Sequence, residues 1–464
     1  MVQVMDVIVI GCGASGVAAL KKLHEAGLKA IGLEAADRIG GRIRTVPFGA
    51  NVVDVGAAWC HGENSNIVFD LANPLNLLDR PKPDENWCML SNGSLVSNDK
   101  VESLLKAVSD SVSEAPKAGT KSVSECVRDA TQDKDVLKNS ELTESVIEWY
   151  WRANNLGGQD DPQTGKSLRH MAENWICEGE IMLNWKGKGF KTILDVLMNK
   201  YPDPSKELPL EIFLNKEVES IRWSTKKVEL DHSNPLVQVS CKDGSLYAAK
   251  SVIVTVSIGV LKERHTELFN PPLPAEKITA IENLEMCVLG KIYVEFTEPW
   301  WAKSPTHFAV LWQEEDKSKY THKWIPEIYS VNTVEHQPNL LLVWLYGNGA
   351  KLMENDSQAE VEKGVDQFLD LFRKNFDVTP VKAVVRSQWA SNPLIRGSYS
   401  YRSVSTEVNG GSAVVLSEPL YHQDVFPVVC FAGEGTSHHR YGAVNGALEA
   451  GFREADRLIE TLKN

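Results

Sequence analysis

Three glycines spaced Gly11-x-Gly13-x-x-Gly16, an acid at Glu34 and a lysine at Lys291 are the residues whose type and spacing most readily do chemistry. The glycines follow a β-branched run, Val7 to Ile10, and precede a stretch with helical spacing of apolar positions. In such a turn Gly11 makes the tight bend, Gly13 lets a pyrophosphate approach the backbone, and Gly16 lets the helix pack on the strand. With Ala14 inside the turn, the helix start brings amide donors and a partial positive charge to the phosphates. Glu34 ends the following strand, where a carboxylate accepts from ribose hydroxyls. The pattern selects a dinucleotide, and FAD and NAD share it. Lys291 stands in Gly290-Lys291-Ile292-Tyr293-Val294-Glu295-Phe296. A lysine inside an apolar strand is costly to bury unless something hydrogen-bonds it. Strand alternation puts Lys291, Tyr293 and Glu295 on one face, so a solvated edge is the competing reading.

The elements around these residues form one βαβ unit. Val7 to Ile10 is a buried strand, Gly16 to Ala26 a helix with Gly27 as its stop, and Ala30 to Glu34 the next strand. Residues 100 to 180 alternate Ser, Lys and Glu with sparse apolar positions and read as helices. Strands follow at Glu217 to Leu230, Val237 to Leu246 and Ser251 to Val256, then at Lys291 to Phe296, Thr306 to Trp312, Tyr329 to Val334 and Leu340 to Tyr346. A helix is expected at about 359–375, a strand at Val428 to Ala432 and a closing helix at about 443–463. Nucleotide-binding features thus sit at both ends of the chain, and two interleaved domains follow.

Bulk properties agree. A chain of 464 residues favours two domains. A net charge of −13 disfavours nucleic acid and anionic membranes as partners, suits a cationic substrate, and serves solubility in any case. Eight scattered cysteines suggest neither a metal site nor a disulfide framework, so free thiols in a reducing compartment are expected. Residues 7 to 20 lack charge but carry the glycine motif and no basic leader, unlike a signal peptide. No other stretch is long and apolar enough to span a bilayer, and Leu462-Lys463-Asn464 is no peroxisomal address. The expected location is the cytoplasm.

Further blocks distinguish the two dinucleotides. Arg38-Ile39-Gly40-Gly41-Arg42 follows the acid, then Asp54-Val55-Gly56-Ala57-Ala58-Trp59-Cys60-His61-Gly62. A Gly-Gly-Arg turn lets backbone and guanidinium reach a second phosphate group. Trp389-Ala390-Ser391-Asn392-Pro393 leads to Gly397-Ser398-Tyr399, and Phe431-Ala432-Gly433-Glu434 to Tyr441-Gly442-Ala443-Val444-Asn445. In that order these blocks resemble the flavin-containing amine oxidases, in particular the polyamine oxidase branch.

The resemblance implies non-covalent FAD, held by the glycine turn, Glu34, Arg42, Ala57, Trp59, Trp389, Glu434 and Val444, with Val218 touching the adenine through its backbone. It implies that Lys291 holds a water against the flavin and that His61 contacts the substrate amine at the tunnel mouth. Tyr399 would flank the substrate. Monoamine oxidases carry a flavin-linking cysteine at the position of Ser398 and a second cage tyrosine at that of Ala443. Asn445 departs from the histidine common in polyamine oxidases. Glu173, Glu178 and Glu180 are candidates for the distal ammonium.

The fold expected is α/β, a Rossmann-type FAD-binding domain (1–75, 185–260, 415–464) interleaved with an α+β substrate domain of mixed sheet plus helices (76–184, 261–414). The reaction implied is oxidation of a secondary amine of spermine, spermidine or an N-acetylated form, with dioxygen giving hydrogen peroxide. The rivals are a monoamine oxidase, an L-amino-acid oxidase using Arg396 or Arg402, a histone demethylase, a non-catalytic FAD-binding protein and an NAD-dependent dehydrogenase.

Overall fold

The first β-branched run becomes the middle of a parallel sheet. Val4–Ile10 pairs in parallel with Ala30–Leu33 on one side and with Leu246–Val254 on the other. Strands covered on both faces need apolar residues at successive positions, and Val7, Val9 and Ile8 are fully buried. The computed structural model describes residues 3–115, 121–157, 162–224, 235–301 and 306–463. Phe426–Phe431 joins in parallel beside Leu246–Val254, so segments from both ends of the chain share this sheet, which has nine strands among the described residues. The helices Ala14–Glu25 and Val444–Lys463 pack on one face, with Val17, Leu20, Leu448 and Ala455 against Val7 and Val9.

Three expectations change here. Val237 to Leu246 is not one strand: Val237–Cys241 turns at Asp243-Gly244 and returns as Leu246–Val254. Gly244 takes a φ of +84°, which an L residue adopts only with strain. Glu217 to Leu230 is a strand only over Val218–Trp223, and 225–230 lie outside the described residues. Residues beyond 260 also stay with the first sheet. The helices Ile258–Leu268 and Ala275–Asn283 cover its other face, burying Leu261, Leu268, Ile281 and Ile8 together, and Phe269–Asn270 pairs onto Val218–Trp223.

The second sheet runs Val381–Arg386, Leu289–Phe296, Gln337–Tyr346, Ile328–Val334, Thr306–Leu311, Glu85–Leu90 and Leu95–Val96. It is antiparallel except where Thr306–Leu311 meets Glu85–Leu90. One face packs on Asn348–Asn355 and Gln358–Leu369, the latter followed by a 3-10 turn at Phe372–Lys374 where a single longer helix was expected. The other face carries Tyr293, Trp344 and Trp389. The polar middle segment is helical as expected, and Asn98–Glu114, Val123–Asp133 and Thr143–Ala153 cover the edge at Cys88 and Ala309. A hairpin, Thr45–Phe48 with Asn51–Asp54, lies between the sheets. Gln337 staples it: its Nε2 donates to Phe48 O and Val52 O, both at 3.0 Å, and its Oε1 accepts from Ala50 N.

Candidate active site

A cavity of about 980 Å³ runs from the glycine turn to the aromatic face of the second sheet. Its nucleotide end is built from backbone. Gly11 has φ +90° and no room for a Cβ, which would meet Thr255 Oγ1 at 2.8 Å. A Cβ on Gly16 would stand 1.9 Å from Gly11 O, so that glycine is required for helix and strand to touch. At Gly13 the nearest protein atom to an added Cβ is Gly40 O at 3.8 Å, so the space kept clear there opens into the cavity. Helix Ala14–Glu25 has Gly13 as N-cap and no side-chain cap, which leaves its first amides for a ligand. Glu34 is buried, accepts from Cys12 N at 2.7 Å and Ala36 N at 2.9 Å, and lines the cavity. Val218 and the start of the last helix at Val444 line it too. A cradle of clear glycine, uncapped amides and a ribose-side acid fits a dinucleotide.

Midway, Arg42 and Glu434 are paired to each other at 2.6 Å, and Arg42 also donates to Ser398 O at 3.2 Å. Glu434 accepts from Ser400 Oγ at 2.6 Å and Gly442 N at 2.7 Å. Burial alone would raise its carboxyl, but Arg42, Ser400 and Gly442 together hold it below the usual carboxylate range. The carboxylate is therefore already bound by the protein, and its expected role toward a ribityl chain is shared with positioning Arg42. Ser398 accepts from Leu289 N at 2.8 Å and stands on the cavity wall.

The far end contains Ala57, Trp59, His61, Lys291, Trp344, Trp389, Tyr399 and Ala443. Lys291 is 4% exposed in an interior strand, which removes the solvated-edge reading. Its Nζ donates to Asp54 O at 2.9 Å and Gly56 O at 2.7 Å, and lies 5.2 Å and 5.1 Å from the ring centres of Trp59 and Trp344. Burial pushes its ammonium below the usual lysine value, and Asp54 works against that shift. The two tryptophans stack with centroids 5.7 Å apart. Trp389 donates from Nε1 to Val55 O at 3.1 Å. Tyr399 accepts from Asn155 Nδ2 at 2.8 Å. His61 is open to the cavity, and its Nδ1 meets Ile181 O at 2.5 Å. Enclosure lowers its imidazole below the usual range, the bond to Ile181 opposes this, and Lys291 adds to it.

The remaining candidates do not line the cavity, although Glu178 and Glu180 stand on the segment that pairs with the His61 loop, where Gly62 N donates to Glu180 O at 2.9 Å and Glu63 N to Glu178 O at 2.7 Å. Glu178 is exposed, and Glu180 turns its carboxylate back onto Met182 N at 3.0 Å; neither lines the cavity. Glu173 is held by Arg402 at 2.5 Å and by Arg169 at 2.6 Å. Arg402 and Arg396, the arginines that could hold a substrate carboxylate, pair with Glu407 and Glu263 and also lie off the cavity. Asn445 donates to Cys177 Sγ at 3.4 Å instead of facing a substrate. Trp344, Asp54 and Asn155 were not singled out in the sequence. Trp344 is the cross-strand partner of Lys291, a signal readable only once the pairing register is known.

A dinucleotide cradle that opens onto a buried lysine between two indoles defines a nucleotide-dependent oxidoreductase. The chain belongs to the flavin containing amine oxidoreductase family, whose profile matches residues 14–459, and FAD is its cofactor. The chain is 28% identical over 98% of its length to the peroxisomal N(1)-acetyl-spermine/spermidine oxidase of Bos taurus, covering 94% of that protein. It is 29% identical to the protein of the same name from Homo sapiens, at 98% and 94% coverage. It is 26% identical to probable polyamine oxidase 5 of Arabidopsis thaliana, at 100% and 99%. Among the described residues no helix is long and apolar enough to cross a membrane.

Proposed function

We propose that this chain is an FAD-dependent polyamine oxidase of the cytoplasm, acting on a secondary amine of spermine, spermidine or an N-acetylated form. The observation that carries this reading is the far end of the cavity, where indoles, Tyr399 and a neutral-leaning His61 surround Lys291 and both candidate carboxylate-binding arginines lie outside. The names of the full-length relatives support the same substrate class. FAD, when bound, would supply the two-electron oxidation of the carbon next to the amine nitrogen, with dioxygen as the final acceptor and hydrogen peroxide as the product.

The chain supplies orientation and proton handling. His61 Nδ1 meets a carbonyl, so that nitrogen carries the hydrogen and Nε2 is the acceptor able to take a proton from the substrate ammonium. Lys291 spends two of its N–H groups on Asp54 O and Gly56 O, and the third, near the Trp59 and Trp344 faces, is left to hold a water when the cofactor is bound. That water adds to the imine, which separates into an aldehyde and a shorter amine. Gly11, Gly13, Ala14, Gly16, Glu34, Arg42, Ala57, Trp59, Val218, Trp389, Glu434 and Val444 hold the cofactor, non-covalently because Ser398 offers no thiol. In this reading residues 1–75, 185–260 and 415–464 form the cofactor domain together with 261–284, which pack beneath the same sheet, and 76–184 with 285–414 form the substrate domain.

The test is a coupled peroxide assay on the FAD-bound protein with spermine, spermidine, N1-acetylspermine, benzylamine and an L-amino acid in parallel. Peroxide from a polyamine alone is expected. Peroxide only from benzylamine or the amino acid, or none from any of the five, overturns the proposal.

A further inference from the structure

Residues 54–56 present three successive backbone carbonyls to side chains of the second sheet and the segment after it. Asp54 O accepts from Lys291 Nζ at 2.9 Å and from Tyr293 OH at 2.8 Å. Val55 O accepts from Trp389 Nε1 at 3.1 Å, and Gly56 O from Lys291 Nζ at 2.7 Å. The side chain of Asp54 has its own anchors. Thr45 Oγ1 donates to Oδ1, and Phe190 N donates to the two carboxylate oxygens at 3.1 Å and 3.0 Å. Those donors come from the partner strand of the hairpin and from the turn before helix Thr192–Leu197. The carboxylate is thus held, on the residue whose carbonyl Lys291 contacts, by groups that do not touch Lys291; it makes no direct ion pair with Nζ, and burial raises its own acid range to about 6.

The titratable groups around Lys291 arrive from three elements. Asp54 comes from the strand Asn51–Asp54, His61 from the loop after Trp59, and Tyr293 from the lysine's own strand. The neighbouring strand Gln337–Tyr346 faces it with the uncharged ring of Trp344, and Ser387 accepts from its backbone N at 2.9 Å. Among the described residues Asp54 is the one carboxylate acting on it.

We propose that Asp54 is a positioning residue for Lys291: its carbonyl holds Nζ at the catalytic end of the cavity, and its carboxylate supplies the counter-charge that keeps the ammonium form there. Burial drives the lysine toward its neutral form, and a neutral Nζ has one donor fewer for the group held against the cofactor. What Lys291 does for turnover rests on the amine oxidase reading above; how Asp54 acts on Lys291 depends on this chain alone.

The experiment titrates Lys291 directly in the FAD-bound protein carrying 13Cε-lysine, with the resonance assigned by its loss in Lys291→Met. In Asp54→Asn the Lys291 midpoint is expected to fall, by about one pH unit at most, because the opposite charge is nearby but not in direct contact. Tyr293→Phe keeps the charge and removes a competing donor at the same carbonyl, so its midpoint is expected to stay within about 0.3 of the parent or rise. An unchanged midpoint in Asp54→Asn, or an equal fall in Tyr293→Phe, overturns the proposal. Should Asp54→Asn fail to load FAD, the unsubstituted protein carries the test. Coupled groups perturb one another reciprocally, so the Asp54 13Cγ resonance must inflect at the Lys291 midpoint, and a flat trace there overturns the proposal. A protein that titrates this way yet forms no peroxide refutes the oxidase reading and leaves the Asp54 assignment standing.

Discussion

Glu354 tests whether the cavity wall is set from outside. This residue lies in the last turn of the helix Asn348–Asn355, is 4% exposed, and does not itself line the cavity. It accepts from Trp389 N at 2.7 Å, Ala390 N at 3.2 Å, Ser391 N at 2.8 Å and Ser391 Oγ at 2.8 Å. Glu354→Ala strands three backbone donors that had a charged acceptor. Each unsatisfied buried donor costs about 1–3 kcal/mol, and partial access to water for two of them brings the total to about 3–5 kcal/mol. Glu354→Gln keeps one carbonyl acceptor but turns an NH2 toward the same donors, for a loss of about 2–3 kcal/mol. Urea denaturation followed by tryptophan fluorescence at saturating FAD measures both, provided the slope of the transition is unchanged. The turn it holds also aims Trp389 at Val55 O, so FAD affinity should weaken by about tenfold, or 1.4 kcal/mol. A stability loss under about 1 kcal/mol for the alanine variant refutes the assignment of those four bonds. A large loss with unchanged FAD affinity refutes the link to the cavity wall.

Gly13→Ala and Gly16→Ala should separate ligand space from packing space. The first is expected to leave thermal stability of the FAD-free protein nearly unchanged while weakening FAD binding at least about tenfold, and the second to prevent folding, measured by circular dichroism and flavin fluorescence titration. Arg402→Ala leaves Glu407 without its buried partner, so a loss of about 3 kcal/mol is expected with KM for a polyamine changed less than about twofold; a larger KM effect would place a substrate carboxylate or carbonyl at Arg402. Because desolvation at the cavity lowers His61 below the usual histidine range, a rise of kcat/KM between about pH 7 and 9 is expected to follow the substrate amine. His61→Ala should lower that profile by about tenfold or more without moving the rise, and a flat profile in the unsubstituted protein would contradict the requirement for a neutral amine.

The nucleotide end was legible in the sequence because its chemistry is local. Gly11, Gly13, Gly16 and Glu34 lie within one βαβ unit, and turn, helix and strand each leave a signal in neighbouring residues. The helix begins at Ala14 instead of Gly16 because Gly13 serves as the N-cap. The hairpin at 241–246 was missed although Asp243-Gly244 is a turn dipeptide, since apolar residues continue on both sides of it. At the catalytic end, Lys291 stood out as a lysine in an apolar strand, but its acceptors did not. They are main-chain carbonyls more than 200 positions away, which have no residue-type signature. Glu178 and Glu180, expected at the distal ammonium, do not line the cavity, and their placement was not legible for a related reason. An acid in a loop reads the same whether it faces a substrate or, as with Glu180, folds back onto a nearby amide.

The parallel pairing of Val4–Ile10 with Leu246–Val254, and of that strand with Phe426–Phe431, also fixes when this protein can become a flavoprotein during its synthesis. At ribosomal rates of about 5–20 residues per second, the first strand waits roughly 10–50 s for its neighbour and the sheet on the order of 20–80 s for the last strand. Helix Val444–Lys463, which packs on the glycine-turn helix, arrives later still. Pairing over such sequence distances is slow and leaves apolar strand edges open meanwhile. FAD capture is therefore among the last events of biogenesis, and a nascent chain stalled before the final helix would carry every glycine of the motif without a cradle to hold the cofactor.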